Sequence, residues 1–192
     1  MLYIKKTLIT FLLFIIEVIT VNAQEKNFGV TVGFTSINFK NKLEILGEKI
    51  TDSESFEGFY IGIFKEFNLA DELLLHPELQ VAFYNGSGTD WEDTNLTDII
   101  LPVLLQYNFA GDFSVLVGPR FDYLITSDDV IQFNEFGLGF ELGAQYEISP
   151  SFFVNLRASL GLTDRVESTG TMIDEYVSSK SQTANLSLGY RF

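Results

Sequence analysis

A two-residue alternation of apolar with small or polar side chains constrains the fold of this chain more than any other feature. It is clearest over Phe136–Ile148, where one face carries apolar and aromatic side chains and the other carries only glycine, glutamate and glutamine. Successive side chains of a β-strand point to opposite faces of its sheet, so this period indicates a strand with one apolar face. The segments Phe152–Leu162 and Ala184–Phe192 repeat the pattern. The sequence therefore predicts β-structure with two chemically different faces.

Eight such strands account for the chain after its N-terminal segment. Their expected boundaries are Phe28–Phe39, Phe56–Phe67, Leu73–Tyr84, Asp98–Phe109, Phe113–Ile125, Phe136–Ile148, Phe152–Leu162 and Ala184–Phe192. These residues show no helical periodicity and no linker that would divide the chain. We therefore predict one all-β domain over residues 24–192, an eight-stranded antiparallel up-and-down transmembrane β-barrel.

The predicted connections alternate between short and long. The short ones are rich in turn-forming residues: Asn68–Glu72, Ala110–Asp112 and Ser149–Ser151. The long ones are polar and acidic: Lys40–Ser55, Asn85–Thr97, Thr126–Phe133 and Asp164–Gln182. Short turns at one end and long loops at the other are typical of outer-membrane barrels. This asymmetry predicts that both termini lie on the periplasmic side.

The first 23 residues have the composition of a secretory signal peptide. Lys5 and Lys6 precede the apolar run Leu8–Ile19, and Val21-Asn22-Ala23 offers a small-residue cleavage site. We predict that residues 1–23 are removed on export, which changes the net charge from −14 to −15 because two lysines and Glu17 leave with them. So acidic a chain is repelled by phosphates, which argues against a nucleic-acid partner.

The apolar face could line a ligand cavity, as in a lipocalin-like soluble barrel, or it could face lipid. Glycine is frequent on the opposite face, at positions such as Gly62 and Gly143, and small residues fit the narrow interior of an eight-stranded barrel. Aromatic residues near the predicted strand ends fit the girdles of a membrane barrel. They are Phe56, Phe67, Phe83, Tyr84, Tyr107, Phe109, Phe113, Tyr123, Phe136, Tyr146, Phe152, Tyr190 and Phe192. The pattern favours lipid outside.

Several short motifs resemble the PorT-like outer-membrane β-barrel family of Bacteroidetes. They are Gly58-Phe59-Tyr60-Ile61-Gly62, Leu75-His76-Pro77-Glu78-Leu79, Leu101-Pro102-Val103-Leu104-Leu105-Gln106-Tyr107, Val117-Gly118-Pro119-Arg120, Leu160-Gly161-Leu162-Thr163 and Leu188-Gly189-Tyr190-Arg191-Phe192. The terminal strand also resembles the signal that the outer-membrane assembly machinery reads, with Tyr190 and Phe192 as its aromatic residues. The resemblance implies the barrel fold and an outer-membrane location. It brings no catalytic residues.

Charged residues of both signs fall on the glycine-rich face that is predicted to line the lumen. At mid-strand depth these are Glu78, Arg120, Asp122, Glu141 and Arg157, and nearer the periplasmic end they are Glu66, Glu147 and Arg191. Unpaired buried ions are costly, so we predict a structural network of ion pairs. Pairing the strands about Pro150 places Arg157 opposite Gly143 and diagonal to Glu141, with Arg120 at a similar depth. A proton or ion path is the alternative interpretation.

Two other features carry residues of the kind found in chemical sites. His76 is the only histidine; alternation places it in the lumen near the periplasmic end, where it is expected to pack rather than to catalyse. The acidic stretch Asp90–Asn95, with Asp98 beyond it, offers oxygen ligands for a divalent cation, but its spacing is not that of an EF-hand and no turn glycine is present. No catalytic, cofactor or metal site is predicted.

The expected function is therefore that of a non-enzymatic outer-membrane protein whose acidic loops serve envelope integrity, adhesion or docking to a secretion or surface complex. Expected partners are outer-membrane lipid and lipopolysaccharide, the assembly machinery, and an envelope or secretion-complex protein. A barrel for small-solute passage or lipophile binding, and a lipid-modifying enzyme, are the two alternatives.

Overall fold

The computed structural model describes residues 27–45, 48–86, 95–126, 134–165 and 177–192. These residues form nine strand segments: β1 (Phe28–Ile45), β2 (Glu48–Lys65), β3 (Phe67–Ala70), β4 (Leu73–Gly86), β5 (Asn95–Ala110), β6 (Phe113–Thr126), β7 (Phe136–Glu147), β8 (Phe152–Gly161) and β9 (Val177–Arg191). No helix in these ranges is long and apolar enough to cross a membrane. The predicted signal peptide, residues 1–23, lies outside the described residues.

The strand segments close into an eight-stranded antiparallel barrel, as the alternation predicts. β2 and β3 form a single barrel strand interrupted at Glu66, since Phe64 pairs with Glu78 and Phe67 pairs with Leu75 in one continuous register along β4. Each strand otherwise pairs with its neighbour in sequence, β9 pairs with β1, and the pairing of β2 with β4 completes the circle. Closure leaves no open sheet edge along the shared height of the barrel.

The registers show how far the barrel is sheared. From Ser36 on β1, the pairings lead through β2 to Asn85 on β4. In the other direction they lead through β9, β8, β7, β6 and β5 to Leu75 on the same strand. The two residues reached on β4, Asn85 and Leu75, are ten residues apart, and this difference is the shear number of the barrel. Sheared barrels have strands tilted by about 35–45°, so side chains distant in sequence meet inside.

All eight predicted strands are present, and the three short connections fall within the expected ranges, although β3 extends to Ala70 and reduces the first connection to Asp71–Glu72. In the tightest of these, Gly111 adopts φ of 57°, a left-handed conformation that glycine reaches without a steric penalty. The end of the barrel that carries these turns and the residues Phe28 and Phe192 is called the turn end, and the opposite end is called the loop end.

Two predicted long loops are instead largely strand. Lys40–Ser55 was expected to be a loop, but β1 continues to Ile45 and β2 begins at Glu48, with pairing up to that point. β9 likewise begins at Val177, seven residues before the predicted Ala184. Where their side chains are described, these extensions are polar on both faces, with Lys40 and Lys180 outside and Asn41 and Ser179 inside, so the backbone pairing continues without the hydrophobic alternation. Much of the other long loops, 87–94 and 127–133, lies outside the described residues.

The outer surface of the barrel is apolar and the interior is polar over most of its height. Outward side chains such as Ile61, Leu142 and Leu156 are more than half exposed, whereas alternate residues are buried in the lumen. An exposed apolar band around a closed barrel is stable against lipid rather than water. The loop half of the lumen holds a buried apolar cluster: Ile37, Phe39, Phe56, Tyr60, Ala82, Tyr84, Leu96, Ile100 and Leu124.

Two members of the predicted aromatic girdle are therefore misplaced. Phe56 and Tyr84 face the lumen and are almost fully buried, because their strands present even-numbered residues to the interior. Phe56 packs edge-on against Phe39 with ring centroids 5.8 Å apart. The outward aromatics include Tyr107, Phe113 and Phe136.

Glycines on the lumen face make room for large neighbours. A Cβ at Gly143 would lie 2.8 Å from Cγ of Arg157, and one at Gly189 would overlap the ring of Phe153. The sequence suggested that glycine fits a narrow interior; the structure shows that it does so by leaving space beside buried arginine and phenylalanine side chains.

Candidate functional site

Three joined groups of ionisable side chains lie inside the barrel, and the first is at the turn end. Arg191 donates to Glu66 through Nε and Nη2, each at 2.9 Å, and to Glu147 through Nη1 at 2.5 Å. His76 Nδ1 lies 3.5 Å from Glu66 Oε1, and its ring stacks on Phe64 with centroids 4.7 Å apart. One guanidinium thus bridges carboxylates from β7 and from the β2–β3 strand, which are not neighbours in the sheet.

Arg157 on β8 is the centre of the second group. Its Nη1 donates to Glu78 Oε2 at 2.6 Å and lies 3.5 Å from Glu141 Oε1. Glu78 also accepts a hydrogen bond from the Thr31 hydroxyl. The 3.7 Å separation between Glu78 Oε2 and His76 Nε2 joins this group to the first. The side chains of Arg157 and Glu78 are fully buried, so their charges depend on each other rather than on water.

Arg120 on β6 is the centre of the third group, nearer the loop end. Its Nη2 donates to Asp98 Oδ2 at 3.2 Å, its Nε lies 3.5 Å from Asp122 Oδ1, and its Nη1 lies 4.0 Å from Glu141 Oε2. Arg165, just beyond β8, pairs closely with Asp122. Glu141 therefore lies between Arg157 and Arg120 and joins the second group to the third.

The three groups form one chain of charges of largely alternating sign, which we call the lumen ion chain. Its carboxylates are Glu66, Glu78, Asp98, Asp122, Glu141 and Glu147, and its guanidiniums are Arg120, Arg157, Arg165 and Arg191. Six carboxylates against four arginines leave two negative charges, and a protonated His76 would reduce the excess to one. Every arginine of the protein is used here.

The five predicted mid-lumen residues are all buried in the barrel: Glu78, Arg120, Asp122, Glu141 and Arg157. Arg157 pairs opposite Gly143, as predicted from the turn at Pro150. Glu141 lies between two arginines, also as predicted. The nearest carboxylate to Arg157, however, is Glu78 rather than Glu141.

Sequence reasoning missed two members of the lumen ion chain. Asp98 was grouped with the acidic loop, but it faces inward on β5 and pairs with Arg120. Its position two residues from Leu96 and Ile100, both lumen residues, is the signal that could have identified it. Arg165 carries no such signal, because it lies beyond the last alternating residue of β8.

The other candidate sites give no catalytic or metal geometry in the described ranges. His76 is fully buried inside the barrel, so it does not face lipid. No three carboxylate, histidine or cysteine side chains there are arranged to hold a metal ion. The acidic stretch 90–94 lies outside the described residues.

Tyr190 and Phe192, the predicted assembly signal, project from the outer surface of the turn end. Their rings are 5.3 Å apart. Tyr190 also packs against Phe152 on β8 at 4.9 Å, and Phe192 packs against Phe28 on β1 at 5.8 Å. The last residues of β9 therefore join an aromatic patch that spans the seam between the first and last strands.

A closed eight-stranded barrel with an apolar exterior and a charge-paired interior defines the class of integral outer-membrane β-barrel proteins. The sequence profile of the outer membrane protein beta-barrel domain family matches residues 8–192. The chain belongs to this family, and its fold implies location in the outer membrane. No curated protein sequence matches the chain.

Solved structures support the fold. Neisserial surface protein A is 15% identical, with a TM-score of 0.53, and the alignment covers 85% of this chain and 97% of that one. Ail, the attachment invasion locus protein of Yersinia pestis, is also 15% identical, with a TM-score of 0.51 and coverage of 88% and 100%. At these identities the likeness is one of fold alone.

Proposed function

We propose that this protein is a non-enzymatic outer-membrane barrel that acts through its loop end, in envelope integrity, adhesion or docking to a secretion or surface complex. The filled lumen is the observation that supports this. The lumen ion chain links the turn end to the middle of the barrel and beyond, and the buried apolar cluster occupies the loop half. An eight-stranded barrel is just wide enough for its own side chains. Because the lumen is filled, any recognition of a partner takes place at the exposed ends of the barrel.

Several finer features belong to the same proposal. Residues 1–23 serve as a cleaved signal peptide, and both termini of the mature chain face the periplasm. Tyr190 and Phe192 contact the outer-membrane assembly machinery during insertion. The motifs shared with the PorT-like family favour a Bacteroidetes envelope protein, whose partners would include lipopolysaccharide and an envelope or secretion complex.

Conductance tests the closed lumen. The mature protein, refolded into a planar lipid bilayer, should produce no discrete current steps, because paired and apolar side chains fill its interior. Faster gel migration of unboiled than of boiled protein verifies barrel formation in the same preparation. Regular current steps from protein that passes this check would contradict the proposal.

Such steps would favour the second candidate, a barrel for small-solute passage. One observation supports that reading: the buried side-chain amides of Gln80 and Asn155 have no protein hydrogen-bond partner. Buried polar groups of this kind normally bond to water, and a hydrated lumen is the first requirement of a passage.

A pulldown tests the docking role. Tagged mature protein should retain a partner from native outer membranes, and a matched variant with residues 87–94 replaced by glycine and serine should lose it. Equal recovery with both proteins would show that the acidic loop is not the docking element.

A further inference from the structure

The outward face of β1 and β9 changes from apolar to polar part of the way towards the loop end. On β1 the outward residues in order are Val30, Val32, Phe34, Ser36, Asn38 and Lys40, and on β9, taken in the same direction, they are Leu188, Leu186, Ala184, Gln182 and Lys180. The change occurs at the same place on both strands, since Ser36 pairs with Ala184.

The height of this change can be read from the shear. A shear of ten residues over eight strands means that the residue at equal height on the next strand is offset from the paired residue by ten eighths of a residue. Following this offset from strand to strand traces a ring of constant height around the barrel. At the height of Ser36 this ring meets Leu160, Ile99 and Phe83, which are all exposed and apolar. Lys40 lies four positions further along a tilted strand, roughly 10 Å higher. It therefore lies just above the apolar band, where lipid headgroups begin.

Lys40 and Lys180 are directly opposite each other on β1 and β9. Both are exposed, and neither has a carboxylate partner among the described side chains. Side chains at such paired positions have Cβ atoms about 4.5–5.5 Å apart, and like charges there destabilise the sheet. An anion bound between the two ammonium groups would remove this repulsion. The paired lysines are also unusual in a protein with a net charge of −14.

A groove of about 280 Å³ opens on the outer surface around Ser36 and Ala184, four residues nearer the turn end than the two lysines along β1 and β9. Ser36 and Ala184 form its floor, because their short side chains lie next to the larger Phe34–Leu186 pair on the same two strands. Leu156 contributes a further apolar wall, and Glu57 lies at the groove with its side chain exposed. The groove can hold one acyl chain, while the Glu57 carboxylate can accept a hydrogen bond from a hydroxyl or amide of a headgroup.

We propose that this surface binds one phosphorylated glycolipid of the outer leaflet. The phosphate lies between Lys40 and Lys180, an acyl chain lies in the groove below, and a sugar hydroxyl or amide bonds to Glu57. The carboxylate at the groove favours a headgroup that donates hydrogen bonds over a simple phospholipid. This inference rests on the proposed orientation, in which the loop end faces the cell exterior.

The test uses the refolded mature protein in detergent micelles, with phosphorylated lipid A as the probe and native mass spectrometry as the readout. The variant Lys40→Gln/Lys180→Gln should bind lipid A about 30-fold more weakly, because a lysine near an anionic lipid surface contributes about 1 kcal/mol and 1.4 kcal/mol is a factor of ten. Lipid A with its phosphate removed should bind wild-type protein as weakly as phosphorylated lipid A binds the variant.

The control is Lys65→Gln, which removes one lysine charge at the turn end, where Lys65 Nζ lies 5.1 Å from the centroid of the Phe67 ring. Its lipid A affinity should equal that of the wild type. Unchanged affinity in the double variant, or an equal loss in the control, would overturn the site. Equal binding of phosphatidylglycerol would overturn the glycolipid assignment. Heat-shifted gel migration reports the barrel separately, so failure of the site and failure of the membrane fold are distinguishable.

Discussion

Removing either partner of the buried Glu78–Arg157 ion pair should destabilise the barrel. Arg157 Nη1 donates to Glu78 Oε2 at 2.6 Å, and both side chains are fully excluded from solvent. Removing one partner of such a pair leaves an uncompensated buried charge, which typically costs about 3–5 kcal/mol. Arg157→Met keeps an unbranched apolar stem and removes the guanidinium and its charge, so we expect a loss at the upper end of this range.

Glu78→Gln should cost less than Arg157→Met. It leaves Arg157 with Glu141 at 3.5 Å, whereas Arg157→Met leaves Glu78 without a guanidinium and leaves Glu141 with Arg120 alone, at 4.0 Å. Glu141→Gln should have the smallest effect of the three, because Glu141 is 3.5 Å from Arg157 and 4.0 Å from Arg120 and makes no closer contact with either. The predicted order of destabilisation is therefore Arg157→Met, Glu78→Gln, Glu141→Gln.

The assay is urea unfolding of the barrel in lipid vesicles, followed by the loss of heat-shifted gel migration. The double variant Glu78→Gln/Arg157→Met should lose less free energy of unfolding than the two single variants summed, with a coupling of about 2–3 kcal/mol. Additive losses below about 1 kcal/mol, the range of exposed ion pairs, would contradict a buried and coupled Glu78–Arg157 pair. They would show that these side chains are hydrated and would favour a water-filled path through the lumen.

Three further predictions test the packing and assembly of the barrel. Phe192→Ser should lower insertion into the outer membrane and leave precursor for periplasmic proteases. The control Phe34→Ser, which alters an outward aromatic residue away from the terminus, should insert normally. Equal insertion of both variants would show that Phe192 is only a lipid-facing residue. Gly189→Val should destabilise the barrel by about 1–3 kcal/mol through overlap with Phe153, and Phe153→Ala should relieve part of that loss in urea unfolding. Arg165→Gln should lower the free energy of unfolding less than Arg157→Met does, because Asp122 keeps Arg120 at 3.5 Å. An equal loss would show that the Arg165–Asp122 pair stabilises the barrel as much as the Arg157–Glu78 pair does.

The barrel architecture can be predicted from the residue pattern alone. Strict alternation identified the strands, because a membrane barrel must present an apolar side chain to lipid at every second residue. The register of β7 with β8 also followed from sequence, since the short turn around Pro150 leaves little freedom in how the two strands align. The lumen position of the charged residues followed from the same alternation.

Which carboxylate pairs with which arginine depends on the closed barrel and cannot be read from the residue pattern. Glu78 and Arg157 are 79 residues apart, and their contact depends on closure of the barrel with a shear of ten. Shear accumulates over all eight strand pairs, so no local pattern reports it. Arg165 joins the lumen ion chain from beyond β8, where alternation has ended. Lys40 pairs with Lys180 because β1 and β9 continue above the apolar band, where lipid no longer requires an apolar side chain at every second position while the backbone pairing persists.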